Sequence, residues 1–134
     1  MPSWNAIGEA SGIIICPSNP IVSIGTILSI KGVRKALKET DAKIVAISPI
    51  IAGTVVKGPA GKLMSGLGLE VSAFSVGSLY KDFLDTFILD DNDKAQKEQV
   101  ETLGIEATVT NTLMKTIEDK MRLAKVTLSC LMKA

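Results

Sequence analysis

A chain of 134 residues is long enough for one domain with a sizeable core. Its 15 Lys and Arg nearly balance 14 Asp and Glu, and only 4% of residues are aromatic, so bulk electrostatics and composition point to no nucleic acid and no membrane surface. The absence of histidine and of any C-x-x-C pair excludes Ser-His-Asp and Cys-His catalysis, imidazole acid–base chemistry and histidine zinc sites within the chain.

Residues 3–10 are expected to form a short opening helix capped by Ser3. The N-terminus, Met1-Pro2-Ser3-Trp4-Asn5, lacks the basic segment and apolar stretch of a signal peptide, and a cytoplasmic location is expected. Mean hydropathy is high at +0.32, yet no apolar run approaches the roughly 18 residues that a membrane helix needs. Ile13, Ile14, Ile15 and Cys16 form a run without alternation, the pattern of a strand buried on both faces of a parallel sheet. Pro17 has no N–H for a central ladder and ends it. Asn19 before Pro20 reads as an N-cap with proline at the first helical position, opening a helix over residues 20–28. In α/β sheets ligands bind outside the carboxyl ends of strands, beside such helix starts. A plain turn with a cap accounts for Pro17-Ser18-Asn19-Pro20 equally well.

Lys31-Gly32 breaks the pattern, and residues 33–40 resume as a basic amphipathic helix with Leu37 facing inward. Residues 43–48 are a second apolar strand, closed by Pro49. The segment from Ser48 to Lys62 then carries Gly53, Gly58 and Gly61 with Lys57 and Lys62. It is not a phosphate-binding P-loop, because Val56 stands at the first glycine and Leu63 at the metal-binding hydroxyl. A backbone-amide cradle with Lys57 or Lys62 as counter-charge stands beside the reading as an ordinary glycine-rich loop, with residues 60–65 able to start a helix.

Residues 72–83 read as a helix with Ala73, Val76, Leu79, Tyr80 and Phe83 on one side. Residues 86–89 are a third strand. Asp90-Asp91-Asn92-Asp93 lacks the glycine and glutamate of a calcium loop, and capping of a helix over residues 94–103 by Asp91 or Asp93 explains it better. Residues 105–109 are a fourth strand. Residues 113–132 are a long helix with an apolar stripe of Leu113, Ile117, Met121, Ala124, Leu128 and Leu131, its methionines filling gaps in the core. Cys16 and Cys130 are expected in the core as reduced thiols. Strands alternating with helices predict one α/β domain over residues 1–134, with a parallel sheet of about four strands flanked by helices.

Four blocks carry a resemblance. Ile14-Ile15-Cys16-Pro17-Ser18-Asn19-Pro20-Ile21-Val22-Ser23-Ile24-Gly25, Val45-Ala46-Ile47-Ser48-Pro49-Ile50-Ile51, Val56-Lys57-Gly58-Pro59-Ala60 and Leu79-Tyr80-Lys81-Asp82-Phe83-Leu84-Asp85 resemble, in this order, the C-terminal half of the 2-phospho-L-lactate transferase family. Two positions depart from it: Ala52 replaces a usual second glycine, and Gly61 a frequent acidic residue. The resemblance implies a Rossmann-like sheet that is half of a larger fold. It also implies a transferase of deazaflavin coenzyme F-420 biosynthesis in methanogenic archaea and some other microbes. Such an enzyme moves a phospholactyl or phosphoenolpyruvyl group from a guanosine-diphosphate-linked donor to a deazariboflavin precursor, with Mg2+. Magnesium ligands and acidic catalytic residues are expected in the family's first half, outside this chain, so no catalytic residue is assigned here. Pro17, Ser18, Asn19, Pro20 and Ser23 of the first loop, and Gly53, Lys57 and Gly58 of the second, are the expected nucleotide-binding residues. Ser18 and Asn19 would hold phosphates or ribose, and Lys57 would offset charge. Alone, the chain is expected to bind nucleotide weakly and to transfer nothing. A non-catalytic nucleotide-binding module and an oligomerisation module are the alternatives. An apolar sheet edge lacking its companion predicts a homo-oligomer, most simply a symmetric dimer, or association with the missing N-terminal half.

Overall fold

The computed structural model describes residues 3–55 and 58–132. Its centre is a four-stranded, wholly parallel sheet in the order β1-β2-β5-β6, built from β1 (Gly12–Ile15), β2 (Lys43–Ile47), β5 (Thr86–Asp90) and β6 (Glu106–Thr110). Gly12 pairs with Lys43, Val45 with Thr86, and Thr86 with Glu106. The two inner strands are the most apolar, and β5 is buried along its whole length, as a strand covered on both faces must be. This is the expected α/β, Rossmann-like arrangement.

On one face Ile13, Ile15, Ile44, Ala46, Phe87, Leu89 and Ala107 pack under α1 (Ser3–Glu9), α3 (Val33–Glu39), α5 (Ala73–Leu79) and α6 (Lys97–Glu101). Val33 and Leu37 are the buried positions of α3, so Leu37 faces inward as its spacing predicts. Ser72 caps α5, accepting from the Ser75 N–H at 3.1 Å. That helix ends at Leu79 rather than Phe83, because the chain turns there and the Phe83 and Leu84 N–H groups both return to the Tyr80 carbonyl. Arg34 ties α3 to this turn: it donates to the Leu79 carbonyl at 2.8 Å, pairs with Asp82 at 3.1 Å, and lies 5.3 Å above the Phe83 ring. Asp85 accepts from the Ile44 N–H at 2.7 Å. The block from Leu79 to Asp85 therefore braces the amino ends of the inner strands.

The other face is covered by α7 (Ile117–Met132), whose Leu123 and Cys130 pack on Val45, Ile47 and Ile88. Here three expectations are overturned. The stripe of Ile117, Met121 and Leu128 is not core: these side chains are exposed by 71, 54 and 50%. The buried line is Leu123, Thr127 and Cys130, where a threonine and a cysteine hide the face from a reading based on hydrophobicity. Thr127 turns its hydroxyl back to the Leu123 carbonyl at 2.8 Å, which lets it sit buried. Of the methionines, Met64 alone is fully buried among the described residues, in α4 (Ala60–Gly66). Cys16 is exposed, because β1 stops one residue before it. Among the described residues no helix is long and apolar enough to cross a membrane.

Two local elements also differ from expectation. Residues 20–23 form a turn, and α2 begins only at Ile24 (Ile24–Ser29). The segment after Pro49 folds into a hairpin of β3 (Ile50–Ile51) and β4 (Thr54–Val55). Its two turn residues, Ala52 and Gly53, have φ of 52° and 77°, the paired positive values of a type I′ turn. Ala52 thus occupies a conformation that glycine adopts without strain.

Candidate functional site

Three connections leave the carboxyl ends of β1, β2 and β6 and enclose a cavity of about 280 Å3. Pro17 and Asn19 line it from the first, Ser48, Pro49, Ile51, Val55 and Ala60 from the second, and residues 112–115 from the third.

The first wall is set by its own turn chemistry. The Ser18 N–H donates to the Cys16 carbonyl at 2.7 Å, folding the chain tightly around Pro17. Asn19 Oδ1 then accepts from the N–H groups of Ile21 at 2.9 Å and Val22 at 3.2 Å, capping the turn as its place before Pro20 predicts. The Asn19 carbonyl accepts from Ser23 and Ile24. A methyl on Gly25 would lie 2.8 Å from the Pro20 carbonyl oxygen, so only glycine lets α2 close against this turn. With Oδ1 committed, Asn19 Nδ2 is left buried without an acceptor among the described residues. A buried amide N–H in that state costs about 1–3 kcal/mol.

The second wall hangs from the sheet by Ser48. Its N–H donates to the Ile88 carbonyl at 2.8 Å, and its hydroxyl accepts from Ile50 at 3.1 Å. Asp93 holds the hairpin tip, both carboxylate oxygens accepting from the Ala52 N–H at 3.1 and 3.2 Å. The third wall is held by Asp90. One of its oxygens accepts from the Thr112 N–H at 2.9 Å and hydroxyl at 3.0 Å, the other from Asn92.

The acidic run is therefore structural, although not by the residues expected. Asp90 caps the 3-10 turn (Asp91–Gln96), Asp93 is buried against the hairpin, and Asp91 is exposed. Burial alone would raise the Asp90 pKa, but its bonds to Asn92 and Thr112 outweigh burial and hold it below the usual carboxylate value. Burial pushes the Asp93 pKa up, the Ala52 N–H opposes it, and the Asp90 charge adds to it. Among the described residues no group of three or more acidic or cysteine side chains is placed to hold a metal ion, and no carboxylate lines the cavity. Among the described residues Lys115 is the only charged one in its wall.

Of the residues singled out from the sequence, Pro17 and Asn19 line the cavity. Ser18 lies between them, half-buried and outside the lining. Pro20 is buried and turned toward Gly25 and Arg34, and Ser23 is exposed beyond it. Gly53 and Gly58 line a separate, open hollow with Lys62, sharing only Val55 with the cavity. Lys57 lies outside the described residues. Residues 112–115 were missed because their apolar pair Leu113-Met114 reads as the start of the last helix. Their position after the fourth strand's carboxyl end was the available signal.

The family described as 2-phospho-L-lactate transferase CofD has a model that matches residues 2–127. A 2-phospho-L-lactate transferase of Methanocaldococcus jannaschii is 47% identical over 120 residues, which is 90% of this chain and 37% of that protein. One of Methanosarcina mazei is 46% identical over 121 residues, covering 90% of this chain and 39% of the relative. One of Methanococcus maripaludis is 47% identical over 120 residues, covering 90% and 37%. The chain thus spans less than two fifths of the length of these relatives.

Proposed function

This chain belongs to the 2-phospho-L-lactate transferase family, and from that premise we propose that its strand-end cavity holds the guanosine-diphosphate part of a donor in a transfer reaction of coenzyme F-420 biosynthesis. The observation that carries the reading is Asn19. Asn19 lines the cavity, its capping oxygen is fixed by two backbone donors, and its amide nitrogen stays buried with no acceptor among the described residues. A ribose or phosphate oxygen would supply the missing acceptor. Lys115 would offset phosphate charge, the role first given to Lys57.

In the transfer a P–O bond forms to the hydroxyl of the deazariboflavin precursor, while the bond joining the phospholactyl or phosphoenolpyruvyl phosphate to GMP breaks. Such chemistry asks a protein mainly for positioning and charge neutralisation, so the lack of histidine is no obstacle. Magnesium neutralises phosphate charge in reactions of this class. The wall of this cavity does not fit it as a protein-bound ion, since no carboxylate lines it and those of Asp90 and Asp93 are committed to backbone donors. Its ligands would lie in the part of the family that this chain does not span. The chain alone would therefore act as the nucleotide-holding portion and turn over nothing, in the cytoplasm where its small-molecule substrates would be made.

Calorimetry with GDP tests the reading. We expect saturable binding that weakens about tenfold on Lys115→Ala and on Asn19→Ala, with Asn19→Ala also costing about 0.5–2 kcal/mol of stability through the lost cap. Binding unchanged in both variants, or no heat at all with the folded wild-type chain, defeats it.

A further inference from the structure

The third wall of the cavity, residues 112–115, is held from both ends by carboxylates. Asp90 takes the Thr112 N–H and hydroxyl on the sheet side. On the helix side Asp119 Oδ2 accepts from the N–H groups of Lys115 and Thr116, each at 3.1 Å. The Thr116 hydroxyl returns the bond, accepting from the Asp119 N–H at 3.1 Å. Thr116-Ile117-Glu118-Asp119 is thus a capping box, with an acid three residues after the capping threonine, and it starts α7 at Ile117.

A capping box asks its acid for one backbone bond, to the capping residue, so the bond to Lys115 is additional and reaches back into the cavity wall. The other Asp119 oxygen accepts from Arg122 at 3.0 Å, and Arg122 also donates to the Asn111 carbonyl at 3.4 Å. The pair therefore clasps the loop on both sides of Lys115. The bond from Arg122 and those from the Thr116 and Lys115 N–H groups hold the Asp119 pKa down at about 2, so the carboxylate stays ionised. Its ion pair is with Arg122, while the Lys115 ammonium has no ion-pair partner among the described residues. The wall thus keeps an uncompensated cation on a residue whose backbone is fixed. Ordering a loop lowers the affinity of whatever must order it, and a loop fixed beforehand removes that part of the cost.

We propose that Asp119 is a positioning residue for Lys115, fixing the backbone of this wall so that the lysine side chain meets the phosphates of a nucleotide in the cavity, with Arg122 neutralising the carboxylate. This role rests on the nucleotide reading of the cavity. Charge alone argues the other way. An ionised carboxylate beside an anion site weakens phosphate binding. Its removal would also free two backbone N–H groups at the start of a helix, which attract phosphate. Position and charge therefore predict opposite signs for the loss of Asp119.

The test is calorimetry of the whole chain with GDP and with guanosine. We expect Asp119→Ala to weaken GDP binding about tenfold and to leave guanosine, which has no phosphate, unaffected. Glu118→Ala, which removes an exposed acid from the same turn, should not weaken GDP binding. In a Lys115→Ala background Asp119→Ala should cost no further affinity, because it acts through the lysine. Thermal melts establish that each variant folds, and Asp119→Ser serves where Asp119→Ala does not. Unchanged or tighter GDP binding by the Asp119 variant, a loss that guanosine shares, or a loss that persists in full beside Lys115→Ala overturns the proposal and leaves the nucleotide reading intact. No GDP binding by the folded wild-type chain defeats that reading and the proposal with it.

Discussion

Asp90 shows how much of a site a single carboxylate can hold. It is the last residue of the buried strand β5, yet it sets the third wall of the cavity through Thr112 and starts the following 3-10 turn through Asn92. Its folded-state pKa lies below the ordinary carboxylate value, so the stability it contributes is present above that value and is lost as pH falls through and below it. Asp93 works in the opposite sense: its raised pKa means that its contribution diminishes as pH rises through the folded value. Replacing Asp90 by Asn turns an amide toward donors and should cost about 1–3 kcal/mol at neutral pH. Urea melts down to about pH 3 should show a shallower acid loss for Asp90→Asn than for the wild type. Parallel pH profiles would show that the carboxylate is not the group responsible. None of this was legible from the run Asp90-Asp91-Asn92-Asp93, because a sequence shows the acids but not which loops come back to meet them.

Helix α7 carries the plainest lesson about reading elements. Its 3.6-residue periodicity places a helix correctly in the sequence, and the expected start of about residue 113 errs only because Leu113-Met114 continue the apolar pattern into the cavity loop. The choice of buried side fails. Periodicity shows that a helix has an apolar side, but not whether the sheet beneath it is the surface that side meets. Truncation separates the two sides. Leu123→Ala should destabilise by about 2–4 kcal/mol, since it empties a packed position, whereas Leu128→Ala should stay within about 0.5 kcal/mol. Denaturant melts giving equal losses would return the stripe to the core. The four sheet strands, by contrast, were legible to within a residue or so, because unbroken apolar runs ended by proline or polar turns have few other readings. The β3-β4 hairpin was not, since Ala52 conceals the turn that a glycine pair would announce.

Over the whole molecule, alternation of strand and helix gives the parallel sheet, but the three-walled cavity emerges only when strands distant in sequence align their carboxyl ends. The same topology fixes an order of assembly. Each parallel pairing must close a crossover, and the entropy of that closure grows with its length. Thr86 to Glu106 is the shortest of the three spans and Val45 to Thr86 the longest. Folding should therefore begin with β5 and β6 around the 3-10 turn and α6, and the β2–β5 pairing should close last. Kinetic φ-values near one half or above at Phe87 and Ala107, and lower at Ile13 and Ile44, would bear this out, and the reverse ranking would refute it. The pair β1-β2 emerges first during synthesis yet waits for the longest closure, so a nascent chain would present the inner edge of β2 unpaired until β5 had been made.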